Sequence, residues 1–144
     1  MGFREVTPTF SVSEQHLARE DFARAAALGF RTIICNRPDG EQPGQLSQAE
    51  ARQAAAAAGL VFIALPFAGP PPPAVVGDTA ELLEQVEGPV LAYCRTGTRS
   101  ITAWAFAQAL AGTLKPAEIV SLAAKAGYDL SGAAAAFEHL APKA

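Results

Sequence analysis

Hydrophobic and polar positions along the chain alternate between two periods. Phe3, Val6, Phe10 and Val12 stud the first dozen residues, which predicts extended chain, with a turn at Ser13-Glu14-Gln15. Residues 17–28 carry Leu17, Phe22, Ala25, Ala26 and Leu28 at helical spacing, and Gly29 stands where a helix C-terminal cap is expected. Residues 31–36 form a short β-branched run that predicts a buried strand, followed by strong turn chemistry in Arg37-Pro38-Asp39-Gly40. Ser47-Gln48-Ala49-Glu50 is a capping box that opens an alanine-rich helix ending at Gly59. Residues 60–65 predict the next strand. The run 66–73 holds five prolines and predicts a stiff loop, because proline is excluded from helix interiors and central strands. A helix over 74–86 follows, with Leu82, Leu83 and Val86 on its apolar face. Gly88-Pro89 breaks it ahead of a strand that ends at Cys94. Further helices are predicted over about 99–111, from Lys115-Pro116 onward, and around 131–140.

Strands and helices in alternation predict an α/β fold: one domain over 1–144, a mainly parallel central sheet, helices on its faces and right-handed crossovers. In such sheets the ligand site lies beyond the carboxyl ends of the strands. Three loops are therefore expected on one edge, at 36–40, 66–73 and 94–99. A chain of 144 residues, half hydrophobic and 17% charged, is long enough for a sizeable core and unlike a disordered segment. The net charge of −3, without a polybasic run, argues against nucleic acid as the main partner. No signal peptide or apolar stretch of spanning length is visible, so a cytoplasmic location away from the membrane is expected. Two cysteines, Cys35 and Cys94, make no disulfide framework. They make no metal site with His16 and His139, both read as surface residues, and no cofactor is implied.

The most informative segment is Tyr93-Cys94-Arg95-Thr96-Gly97-Thr98-Arg99-Ser100. A cysteine between a strand and a helix faces the helix N-terminus, where unpaired N–H groups and the positive dipole end favour a thiolate and a bound oxyanion. A cysteine closing a strand is often only a small hydrophobe, but the two arginines close behind Cys94 argue for a nucleophile. Arg99 is the candidate anion clamp. Gly97 allows the loop to turn an N–H inward. Thr96, Thr98 and Ser100 are candidates to bind the anion, with Thr98 and Ser100 able to donate to the sulfur as well. Arg95 is expected to point outward and raise the positive potential. Arg37 is a candidate either to bind an anion or to pair with Asp39. Cys35 is expected in the core, the alternative being a resolving thiol for a persulfide on Cys94.

Cys-x-x-Gly-x-x-Arg in protein tyrosine and dual-specificity phosphatases is similar, but four residues separate Cys94 from Arg99 here, against five there. Cys-Arg-Thr-Gly-Thr-Arg looks more like the active loop of single-domain rhodaneses. Over about residues 10–130 the chain resembles the phosphatase domain that also occurs fused to the metallo-hydrolase part of beta-lactamase-hydrolase-like proteins. The motifs are Phe10-Ser11-Val12-Ser13-Glu14-Gln15, Asn36-Arg37-Pro38-Asp39-Gly40-Glu41-Gln42-Pro43, residues 93–100, and Ala126-Gly127-Tyr128-Asp129-Leu130. This resemblance implies a phosphatase-like fold, a link to persulfide metabolism and a persulfide dioxygenase as partner. In dual-specificity phosphatases a general-acid aspartate sits where this chain has Pro66-Phe67-Ala68-Gly69-Pro70-Pro71-Pro72-Pro73, which holds no carboxylate. Asp39 is then the one candidate to stand in as acid, against its ordinary use as a turn residue.

The leading expectation is a sulfurtransferase in which Cys94 takes a sulfane sulfur from thiosulfate or a persulfide and passes it to a thiol. The alternatives are a phosphatase acting on a phosphate ester through a phosphocysteine, and a non-catalytic anion- or persulfide-binding module.

Overall fold

The computed structural model describes residues 2–86 and 88–142. Five strands, β1 (Phe3–Thr7), β2 (Phe10–Ser13), β3 (Thr32–Cys35), β4 (Val61–Ala64) and β5 (Val90–Tyr93), form one sheet in the order β1-β2-β5-β3-β4. The helices are α1 (Arg19–Ala27), α2 (Gln48–Ala57), α3 (Pro73–Gln85), α4 (Thr98–Ala111), α5 (Pro116–Lys125) and α6 (Ala134–Leu140), the last preceded by a 3-10 turn, Ser131–Ala133. β2, β5, β3 and β4 run parallel, and β1 alone is antiparallel. The extended N-terminal stretch is thus two strands, folded back on each other between Thr7 and Phe10. Tight reversal forces antiparallel pairing, whereas the parallel pairs need helical crossovers.

The period of two sorts the strand residues between two cores. Phe10, Val12, Ile34, Val90 and Ala92 face α4, α5 and α6. Ile33, Cys35, Leu91 and Tyr93 face the other way, onto Leu17, Phe22 and Ala25 ahead of and within α1, and Ala51 and Ala55 of α2. β5 lies at the middle of the order and both its faces are covered, so all four of its residues are buried. Small residues let α4 lie close to the sheet: Ser100, Ala103, Ala105, Ala107 and Ala109 are all buried. Among the described residues no helix is long and apolar enough to cross a membrane.

His16 departs from the surface position expected of it. Its ring packs edge-on to Tyr93, with centroids 5.5 Å apart, and neither ring nitrogen reaches solvent or a hydrogen-bond partner among the described residues. Burial, then nearby Arg37, hold the imidazole below its usual range, which favours its neutral form. His139 is exposed as expected.

Trp104 is almost fully buried and stacks on Phe10 at 5.7 Å with 13° between planes, joining α4 to β2. Trp104→Ala should destabilise the fold by about 3–5 kcal/mol. Urea unfolding checks this: the midpoint should fall while the slope is kept.

Candidate active site at the carboxyl edge of the sheet

Cys94 follows the last residue of β5 and α4 begins at Thr98, so the loop between them lies beyond the carboxyl edge. The Cys94 sulfur is buried, and the Gly97 N–H donates to it at 3.2 Å. Gly97 is the N-cap of α4, with φ +93°, a region that favours glycine. A Cβ there would collide with the Tyr128 hydroxyl and lie 2.7 Å from the Ser13 carbonyl oxygen. The loop therefore turns a backbone donor onto the sulfur at the amino end of α4, where the helix dipole also favours negative charge.

Asn36, at the end of β3, gathers the neighbouring loops. Its N–H donates to the Tyr93 carbonyl at 2.8 Å, and its side-chain amide donates to the Leu65 carbonyl at 3.0 Å. Its own carbonyl accepts from Phe67 N–H at 3.3 Å, and its Oδ1 accepts from the Ser100 hydroxyl at 2.9 Å. Ser100 is thus turned to Asn36, away from the donor role to sulfur or anion expected of it. The reason is burial: a hydroxyl without water must take a protein partner, and Asn36 offers one.

Arg99 is oriented by a carboxylate from the same gathering. Its Nη1 and Nη2 donate to Glu41 Oε2 and Oε1 at 2.9 and 2.8 Å, and Nη1 also donates to the Phe67 carbonyl at 3.0 Å. Glu41 is held in turn by Arg37 Nε at 2.9 Å, while Arg37 Nη2 donates to Gln42 Oε1 at 3.1 Å. Arg37 is only 2% exposed, and it pairs with Glu41 where the sequence offered Asp39 or an anion. Hydrogen bonding to Arg99 is the first cause holding the Glu41 carboxyl below its usual range, with Arg37 adding to it. The Arg99 guanidinium is raised first by Glu41, and the Cys94 thiol lies near enough to add to that. Both terminal nitrogens of the guanidinium are thus committed to Glu41, with Cys94 close by.

Asp39 is exposed, and its Oδ1 accepts from the Gln48 N–H at 2.8 Å at the start of α2. The Thr96 and Thr98 hydroxyls bond each other at 3.2 Å, and Arg95 is exposed. Cys35 is buried under Tyr93; its thiol is pushed up by burial and donates to the Arg37 carbonyl at 3.5 Å. No group of three or more possible metal ligands occurs among the described residues. The loops at 36–40, 66–73 and 94–99 do meet on one edge. Glu41, Asn36 and Tyr128 have no role in the sequence reading, although the motifs 36–43 and 126–130 contain all three.

Loss of the Glu41 charge gives a pH test. A folded-state carboxyl held below the ordinary 4.5 adds stability that is present above 4.5 and lost as pH falls through the lowered value. The Tm of Glu41→Gln should lie below that of the parent protein at pH 7. The gap should close on acidification below the ordinary carboxylate range, as followed by circular dichroism.

The sequence profile of the phosphatase-like domain of beta-lactamase hydrolase-like protein matches residues 2–111. A beta-lactamase hydrolase-like protein of Agrobacterium fabrum is 37% identical over 114 residues, covering 78% of this chain and 26% of that protein. The chain thus spans about a quarter of the length of the curated relatives it matches. A Neisseria meningitidis crystal structure, provisionally assigned as a phosphatase, superposes with a TM-score of 0.82 at 34% identity, covering 97% of this chain and 99% of that one. PTPMT1 in complex with PI(5)P shares the fold at a TM-score of 0.69 and 17% identity, covering 97% and 94%. The fold is that of protein tyrosine phosphatase-like proteins, and the enzyme class this supports is a cysteine-nucleophile hydrolase, the phosphatase alternative rather than the sulfurtransferase. The chain belongs to the phosphatase-like domain family of beta-lactamase hydrolase-like proteins.

Proposed function

We propose that this domain is a phosphatase in which Cys94 attacks the phosphorus of a small phosphate ester. The observation that carries this reading is the Gly97 N–H on the Cys94 sulfur, with Arg99 held beside it by Glu41. The thiolate forms the S–P bond as the P–O bond to the leaving group breaks. Water then attacks the phosphocysteine, releasing phosphate and restoring the thiolate. The loop amides and the Arg99 guanidinium carry the charge that develops on the phosphoryl oxygens. The relatives' names favour phosphate chemistry: one fold neighbour is a PP-IP phosphatase, another was solved with PI(5)P.

The carboxylates near the site are already engaged, Glu41 by two arginines and Asp39 by the start of α2. The leaving group in this reading departs without strong protonation by the enzyme, and its basicity then controls the rate. A positioned acid is worth about 10²–10⁴-fold. p-Nitrophenyl phosphate should therefore turn over at least about a hundredfold faster than phenyl phosphate. Asp39→Asn should change both by less than about twofold. A selective loss on phenyl phosphate would instead make Asp39 the acid. Cys94→Ser should lower kcat on the order of 10³-fold or more, and Arg99→Lys about a hundredfold, because a lysine has no planar fork. No turnover of any aryl phosphate would remove the reading.

The four-residue spacing from Cys94 to Arg99 favours a second reading, transfer of sulfane sulfur. The Cys94 thiolate would attack the outer sulfur of thiosulfate, the S–S bond would break and sulfite would leave. A thiol would then accept the sulfur from the Cys94 persulfide. Intact mass after incubation with thiosulfate distinguishes the two. A gain of one sulfur (about 32 Da) that is absent in Cys94→Ala and reversed by thiol supports this chemistry, and an unchanged mass leaves the phosphatase.

A further inference from the structure

Tyr128 lies between α5 and the 3-10 turn, outside the residues that the family profile matches. Its hydroxyl donates to the Thr96 carbonyl oxygen at 2.8 Å. That carbonyl and the Gly97 N–H belong to one peptide unit, and the Gly97 N–H is the donor to the Cys94 sulfur at 3.2 Å. A hydrogen bond accepted by an amide oxygen draws electron density from the nitrogen and makes its N–H a stronger donor, the basis of cooperativity in hydrogen-bond chains. The phenol and the sulfur are therefore coupled through the intervening amide.

The structure around Tyr128 keeps this chain in place. Arg4 of β1 donates to the Ala126 carbonyl at 3.2 Å and to Glu14 through Nε and Nη2 at 3.0 and 2.6 Å. Gly127 has φ +100°, and a Cβ there would stand 2.7 Å from Arg4 Nη1, so the turn into Tyr128 needs glycine. The absence of a side chain at Gly97 makes room for the hydroxyl on the other side. Burial raises the Tyr128 phenol above its ordinary value, so at neutral pH it keeps its proton and acts as donor.

We propose that Tyr128 is a positioning residue that stabilises the Cys94 thiolate through the Thr96–Gly97 peptide. This rests on the reading of Cys94 as the reactive thiolate, whether its substrate carries phosphate or sulfur.

The test is the pH dependence of Cys94 alkylation by iodoacetamide, followed on the Cys94 peptide by mass so that Cys35 does not contribute. Tyr128→Phe removes the donor and keeps the ring. At pH 6.5 its alkylation should be about two- to tenfold slower, the size of one hydrogen bond. The plateau rate at high pH should be unchanged, so the whole profile moves to higher pH. 3-Fluorotyrosine installed at position 128 is a stronger donor, keeps the contact and should move the profile the other way. A profile identical to the parent's in either variant overturns the proposal. The fluorotyrosine protein decides the matter if Tyr128→Phe does not fold. Absent phosphatase turnover alongside a shifted alkylation profile would remove the phosphatase reading and leave the role of Tyr128 standing.

Discussion

Crowding around Gly97 is the constraint on which the site depends. The Tyr128 hydroxyl, the Ser13 carbonyl and the Cys94 sulfur all close on this one residue. Its positive φ turns its N–H towards the sulfur, and α4 starts at the next position. The three neighbours come from the end of β2, the end of β5 and the segment after α5, so the shape of the loop is fixed by residues far apart in the chain. Local sequence supplies the permissive residue; the rest of the fold supplies the reason it must stay bent.

A second layer of control runs from Arg37 through Glu41 to Arg99. Two guanidinium groups share one carboxylate, which neutralises part of their charge and fixes the plane of Arg99. Partly exposed ion pairs are often worth little for stability. Here the Arg37 side chain has almost no contact with water, and the pairing also aims a cation. The consequence is orientation: an arginine whose fork is already held loses less freedom when an anion arrives. Asn36 does the same for the backbone, tying β3, β5, the loop after β4 and α4 together through four hydrogen bonds.

Buried titratable groups beneath the loop are kept uncharged. Burial pushes the Tyr93 phenol and the Cys35 thiol upward, and it pushes His16 downward. The linked charges around Cys94 are therefore those of the Arg99–Glu41–Arg37 chain, with Arg95 exposed beside them. Charges beside a low-dielectric floor act on a bound anion more strongly than the same charges in water.

The amino-acid sequence by itself determined the α/β architecture, the loop carrying Cys94 and Arg99, and the meeting of three loops on one edge. These follow from local features that survive without context: apolar periodicity, the Ser47–Glu50 capping box, the prolines at 66–73, and glycines after helices. The antiparallel β1, the shielding of the His16 ring nitrogens and the partners of Arg37 and Ser100 were decided only by tertiary structure. Arg37 had Asp39 two residues away, yet it pairs with Glu41, because the turn carries Asp39 outward to the start of α2. Tyr128 reaches Thr96 across 32 residues of chain, and Ser100 reaches Asn36 across 64. Hydrogen-bond partners at such separations leave no periodic trace in a single sequence. They are selected by which buried donors and acceptors the packed elements bring within reach of one another.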